Sequence, residues 1–81
     1  MTKNDIFTVV KNKIEEILPE VPSEMIVIDE KLKRLGANSI DRVEILTLSL
    51  EHLGLKVPLV EFGACKNIKD MVEKLYLHQS E

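Results

Sequence analysis

Leu35-Gly36-Ala37-Asn38-Ser39-Ile40-Asp41-Arg42-Val43-Glu44-Ile45 is the stretch whose reading decides the fold. Gly36 breaks the chain, Asn38 offers a side-chain oxygen to cap a helix, and Asp41 falls three residues later, in the first turn, where it complements the helix dipole. Apolar residues then run through Ile40, Val43, Ile45, Leu46, Leu48, Leu50 and Leu53 until Gly54 stops the helix. That arc is too wide for one face. With Ile45, Leu46, Ser49 and Leu53 turned inward, Ile40, Val43, Thr47 and Leu50 turn to the rim, flanked by Asp41, Glu44 and Glu51. Exposed apolar residues ringed by acids point to a docking surface. Taken alone, the three acids read as an ordinary solvated helix face.

Outward from this helix, the same period recurs twice. Upstream, Ile6, Val9, Val10, Ile14, Ile17 and Leu18 step by threes and fours, predicting a helix from Asp5 to Leu18 with Asn4 as its cap and Pro19 as its stop. Downstream, Ile68, Met71, Val72, Leu75 and Tyr76 predict a last helix, capped by Asn67 with Asp70 at its third position. Between Gly54 and Gly63, Leu55-Lys56-Val57-Pro58 is extended and Leu59 to Phe62 has room only for a short helix. The segment from Pro19 to Asn38 holds two prolines and no long period; its Ile26, Ile28, Leu32 and Leu35 predict a loop packed over the core, with a helical turn at Glu30 to Leu35. The fold class is therefore all-α: three longer helices, one short helix and a long first loop, forming a single domain over residues 1–81.

Composition narrows the function. Eighty-one residues can stabilise one small core, on the order of 4 to 12 kcal/mol, which is too little for many buried charges or a large preformed enzyme pocket. The net charge is −3 and no run of Lys or Arg stands out to track a phosphate backbone, so nucleic acid is not an expected partner. The first ten residues, MTKNDIFTVV, lack an apolar stretch of signal-peptide length, and no run approaches a membrane span. The single cysteine, Cys65, suits a reducing compartment, and a cytoplasmic monomer is expected. As a nucleophile Cys65 lacks a base at recognisable spacing, since His52 and His78 are its only histidine candidates. Those histidines have no partner at metal-ligand spacing, and Met1, Met25 and Met71 carry no cofactor pattern. No catalytic residue and no metal site is predicted.

Ser39 is the residue that can carry chemistry. At the very start of a helix its hydroxyl faces solvent, beside free backbone N–H groups and the positive end of the dipole, a favourable place for a phosphodiester. Elementary physics permits a phosphate-linked group there without requiring one, because serine at a helix start is also an ordinary cap.

The Gly-x-x-Ser run, the Ser-Ile-Asp-x-Val-Glu-Ile that follows, the helix lengths, the preceding loop and Pro58 resemble the acyl carrier proteins over nearly the whole chain. The resemblance implies a four-helix bundle in which Ser39 bears covalent 4′-phosphopantetheine. It makes Ile40 and Val43 hydrophobic partner contacts and Asp41 and Glu44 part of an acidic face read by basic enzyme patches. Such a protein is a shuttle and not an enzyme: a flexible arm presents a thioester to successive active sites while the protein provides an address.

Two residues depart from the family's usual pattern. Asn38 stands where an aspartate is most common, and Arg42 places a positive charge within the docking segment. Asn-Ser-Ile-Asp-Arg looks more like the free-standing donor carriers of polyketide β-branching cassettes. That resemblance implies a malonyl group decarboxylated to acetyl and donated onward. The implied partners are a phosphopantetheinyl transferase, an acyltransferase, a ketosynthase-like decarboxylase and a hydroxymethylglutaryl-synthase-like enzyme. A peptidyl or aminoacyl carrier would use the same serine, and an unmodified helical interaction module would keep Ser39 as a cap.

Overall fold

A computed structural model describes residues 1–79. Three α-helices dominate it: α1 (Lys3–Ile17), α2 (Ser39–Leu53) and α3 (Ile68–Gln79). α1 packs along both α2 and α3, so it is the spine of the core. Its inward stripe is Ile6, Val9, Val10 and Ile14, against which Ile45, Leu46 and Leu50 of α2 and Ile68, Met71, Val72 and Leu75 of α3 close. No strand forms among the described residues, which agrees with the all-α expectation.

The predicted short fourth helix is a 3₁₀ turn at Leu59–Phe62, one of three such turns among the described residues; the others are Ser23–Met25 and Leu32–Leu35. Four residues between Pro58 and Gly63 close only the tighter rings, such as Glu61 N–H to the Pro58 carbonyl at 3.0 Å. Phe62, 6% exposed, anchors the turn. The Leu32–Leu35 turn lies within the turn that the sequence predicts at Glu30 to Leu35, whereas the Ser23–Met25 turn has no sequence signal: it buries none of its residues and so leaves no apolar period to read.

The first helix begins two residues earlier than its periodicity indicates. Thr2, not Asn4, is the cap: its side chain accepts the Asp5 N–H at 3.1 Å, and the Asp5 carboxylate accepts the Thr2 N–H at 3.0 Å. This reciprocal pair satisfies two otherwise unpaired donors, which a cap at Asn4 could not do with Asp5 as its neighbour. These hydrogen bonds also hold the Asp5 carboxyl below the usual carboxylate range, the backbone bond being the largest cause.

In α2 one inward assignment changes. Leu50 is buried at 6% and Leu53 only partly so. Residues 45, 46, 49 and 50 form a compact pair of steps on one side of the helix, and α1 covers that side; Leu53, in the last turn, reaches the edge of the core. Ser49 is fully buried, and its hydroxyl donates to the Ile45 carbonyl at 2.8 Å, so it adds no unpaired polar group.

The long loop is fastened at both levels of structure. Ile26, Leu32 and Leu35 are buried in the core. Its carbonyls at Ile28 and Glu30 accept the N–H groups of Lys69 and Ile68 at 2.8 and 2.9 Å, filling donors that α3 cannot satisfy internally. Asn67 and Asp70 complete that end, with Asp70 N–H on the Asn67 side chain at 2.9 Å and Lys66 N–H on the Asp70 carboxylate at 3.0 Å. The loop thereby brings residues 31–33 beside the start of α3.

Candidate functional site

Gly36 starts the construction. Its φ of +95° is in the left-handed region, where a side chain would be strained, and the Ala37 N–H reaches back to the Leu32 carbonyl at 3.1 Å. This turn drives Ala37 into the core at 5% exposure and leaves Asn38 in extended backbone. Asn38 then caps α2: its Oδ1 accepts the Asp41 N–H at 2.8 Å, and the Asp41 carboxylate accepts the Asn38 N–H at 3.2 Å. Gly54, at φ +68°, closes the far end, with Leu55 N–H on the Leu50 carbonyl.

The cap therefore belongs to Asn38, and Ser39 is free of that task. Ser39 is exposed at the first helical position, and its Oγ accepts from Arg42 Nη2 at 3.3 Å. The backbone N–H groups of Ser39 and Ile40 precede the first intrahelical acceptors. An anion linked to Ser39 Oγ would meet them, the positive helix end and the Arg42 guanidinium together.

The other docking candidates occupy two sides of the helix. Ile40 is 69% exposed and Val43 48%, and with Glu44 they step along one stripe toward Glu51, which lies at the opposite end of α2. Asp41 is partly buried and its carboxylate is engaged in the cap, so its position serves the helix start directly. Arg42 is exposed and leans along the first turn to Ser39.

Ser39, Arg42, Val43 and Leu46 recur at three- and four-residue steps, and together they form one wall of an open cleft of about 510 Å³. The other walls come from Lys31, Leu32 and Lys33, from Leu59, Phe62 and Gly63, and from Cys65, Lys66, Asn67 and Met71. Its floor is apolar, because Leu32, Leu46, Phe62 and Met71 are core residues. In the sequence Lys31, Lys33 and Lys66 read as ordinary scattered lysines. Only the loop's attachment to α3 brings them beside α2.

Cys65 borders the same cleft. Burial pushes its thiol above the ordinary cysteine range, the Asp70 charge adds to the rise, and Lys74 partly offsets it. That is opposite to the activation a nucleophilic thiol needs. His78 Nε2 pairs with Glu61 Oε1 at 3.1 Å, tying the end of α3 to the Leu59–Phe62 turn. No group of three His, Cys, Asp or Glu side chains capable of holding a metal occurs among the described residues, and no helix there is long and apolar enough to cross a membrane.

Comparison with known proteins adds two findings. Residues 8–75 match the family model described as a phosphopantetheine attachment site. The chain is also 43% identical over 76 residues to the polyketide biosynthesis acyl-carrier-protein AcpK of Bacillus subtilis (strain 168), spanning 94% of this chain and 93% of that protein.

Proposed function

From the premise that the chain belongs to the acyl carrier protein family, whose members are carriers of 4′-phosphopantetheine and not enzymes, we propose that Ser39 Oγ is the attachment point and that the protein shuttles acyl groups in polyketide biosynthesis. The observation that carries the site is the division of labour at the start of α2: Asn38 caps the helix, leaving the exposed Ser39 hydroxyl available for modification. When bound, the prosthetic group supplies a terminal thiol that holds the acyl group as a thioester. The residues present fit it. The Arg42 guanidinium lies 3.3 Å from the oxygen at which a phosphodiester would be joined, at the N-terminal end of α2, and the Asn38–Asp41 pair keeps that turn in register.

Docking falls to the exposed stripe. Ile40 and Val43 provide apolar contact, Glu44 supplies an accessible negative charge, and Arg42 a positive one, with Asp41 contributing mainly through the helix start. A surface of this size suits brief encounters steered by charge, which a shuttle requires in order to leave each enzyme. The partners in this reading are a phosphopantetheinyl transferase and the biosynthetic enzymes that load and unload the arm. The finer assignment is a malonyl cargo converted to acetyl by a ketosynthase-like decarboxylase and delivered to a hydroxymethylglutaryl-synthase-like enzyme in β-branching. It is supported by the Asn38-Ser39-Ile40-Asp41-Arg42 run and by the polyketide role in the relative's name.

Intact mass after incubation with coenzyme A and a broad-specificity phosphopantetheinyl transferase tests the attachment. One added phosphopantetheine is expected, lost in Ser39→Ala; an unchanged wild-type mass refutes the site. For the cargo, the acetyl-loaded protein should serve a hydroxymethylglutaryl-synthase-like enzyme well and fatty-acid elongation poorly. Equal service to both would remove the β-branching assignment.

A further inference from the structure

A second concavity, separate from the cleft beside Ser39, lies where the first turns of α1, the loop residues 26–28 and the first turns of α3 meet. It is an open groove of about 560 Å³ that shares no residue with the Ser39 cleft and receives none from α2. Phe7, Ile26, Val27, Ile28 and Val72 form its apolar lining. Ile26 and Val72 belong to the core, whereas Val27 is 50% exposed, so the groove continues the core to the surface with apolar area that the chain leaves uncovered.

Lys3 and Lys69 flank this lining from α1 and α3, and Glu73 is the one acid on it. Neither lysine forms an ion pair among the described residues; Lys3 Nζ lies 5.4 Å from the centroid of the Tyr76 ring, a contact that spans α1 and α3. The acids nearest them in sequence are engaged elsewhere, Asp5 by the Thr2 N–H and Asp70 by the Lys66 N–H. Asp29 follows the loop wall and does not line the groove. The groove is therefore net positive on a chain of net charge −3, the reverse of the exposed Ile40, Val43 and Glu44 stripe. A basic enzyme patch that suits the stripe is repelled by the groove, so the two surfaces select different chemistry.

We infer that this groove docks an acidic, aliphatic peptide segment of a partner protein while the Ser39 surface stays free. Aliphatic side chains of the segment cover Phe7, Val27 and Val72, and its carboxylates meet Lys3 and Lys69. Hydrogen-bonding groups on the lining favour a peptide over an alkyl chain: among the described residues nothing accepts the Val27 or Ile28 N–H, and Asn4 also lines the groove. A partner that holds this groove and meets the Ser39 surface binds bivalently. The second contact is then intramolecular, at an effective concentration on the order of millimolar for a short flexible linker, so each contact can stay weak.

The probe is the synthetic peptide acetyl-DELLDELLDE-amide, titrated into the uniformly ¹⁵N-labelled full chain. Two control peptides, acetyl-KKLLKKLLKK-amide and acetyl-DEAADEAADE-amide, reverse its charge and remove its aliphatic groups. Saturable amide shifts are expected at residues 3–7, 26–28 and 69–73 with the first peptide alone, at a Kd on the order of 1 mM or tighter. Affinity should fall at least about threefold in about 0.5 M sodium chloride. Lys3→Glu/Lys69→Glu should lose these shifts and admit the lysine peptide to the same amides, an exchange that loss of fold cannot produce. Val27→Glu, at a half-exposed position, should lose the acidic peptide with the remaining spectrum unchanged. Groove amides that stay unmoved by the first peptide at several millimolar would overturn the inference. So would equal shifts from all three peptides, or a double variant that binds like wild type. Shifts that follow protein concentration alone would assign the groove to a second copy of the chain, and shifts with phosphatidylglycerol vesicles but not with the peptide would assign it to a lipid surface; either result overturns the peptide assignment. Intact mass after transferase treatment, read on the same chain, tests the carrier reading separately: failure to load refutes that reading and leaves the peptide result standing.

Discussion

Exchanging Ser39 and its neighbour Asn38 for alanine, one at a time, should separate modification from stability. Ser39→Ala removes a hydroxyl that is exposed, makes no cap bond and accepts only from the Arg42 guanidinium at 3.3 Å. An exposed pair of this kind contributes little, and alanine is the better helix former, so the stability change should stay within about 0.5 kcal/mol. Asn38→Ala instead removes the acceptor for the Asp41 N–H at 2.8 Å, while the reverse bond from the Asn38 N–H to the Asp41 carboxylate survives. Losing one such cap costs about 1 kcal/mol, which in a domain of this size lowers Tm by about 4 to 8 °C. Thermal and urea unfolding followed by circular dichroism, paired with intact mass after transferase treatment, gives both readouts. Ser39→Ala should keep its Tm and lose all loading; Asn38→Ala should lose several degrees and still acquire the arm. If Ser39→Ala melts as early as Asn38→Ala, the serine has a structural role that this geometry denies it. If Asn38→Ala costs nothing, the cap assignment fails.

Four further outcomes are expected. Glu44→Lys should slow delivery to a cognate enzyme through its association rate, with the gap to wild type shrinking as salt rises; stopped-flow at several ionic strengths checks it, and a salt-independent loss would indicate a packing defect. Arg42→Glu should weaken donation to a hydroxymethylglutaryl-synthase-like enzyme in side-by-side transfer assays, and indifference would remove Arg42 from partner choice. Cys65, whose thiol burial raises, should alkylate with iodoacetamide at pH 8 several-fold more slowly in the native protein than in urea, and equal rates would contradict its partial burial. Because the folded Asp5 carboxyl titrates below its unfolded value, its stabilisation is fully present above the unfolded pKa and is lost as pH falls through the folded one. Asp5→Asn should therefore flatten the acid limb of a Tm-against-pH curve, and parallel limbs would discount the Thr2–Asp5 pair.

Local sequence determined the punctuation and the stripes. The caps at Asn38 and Asn67 and the stop at Gly54 were legible because their hydrogen bonds join residues a few positions apart. The inward stripes of α1 and α3 were legible because helical period maps sequence onto a face. The exposed serine at the start of α2 follows from the same local reasoning. Even at this level two choices between near neighbours were not decided by pattern. Thr2 won over Asn4 because it pairs reciprocally with Asp5, and Leu50 was buried ahead of Leu53 because α1 covers its side of the helix.

The cleft belongs to tertiary structure alone. Its walls come from residues 31–33, 39–46, 59–63 and 65–71, and their meeting depends on two backbone bonds that tie the Ile28 and Glu30 carbonyls to the start of α3. Nothing in the composition of a net acidic chain signals four cations lining one cleft: Lys31 and Lys33 lie two positions apart, but Arg42 and Lys66 are separated from them and from each other by stretches that also hold acids. Charge density at a site is a sum over distances in space. Sequence spacing determines those distances within a helix, but across loops they are set by where the core pins the chain, here through Ile26, Leu32, Leu35 and Phe62.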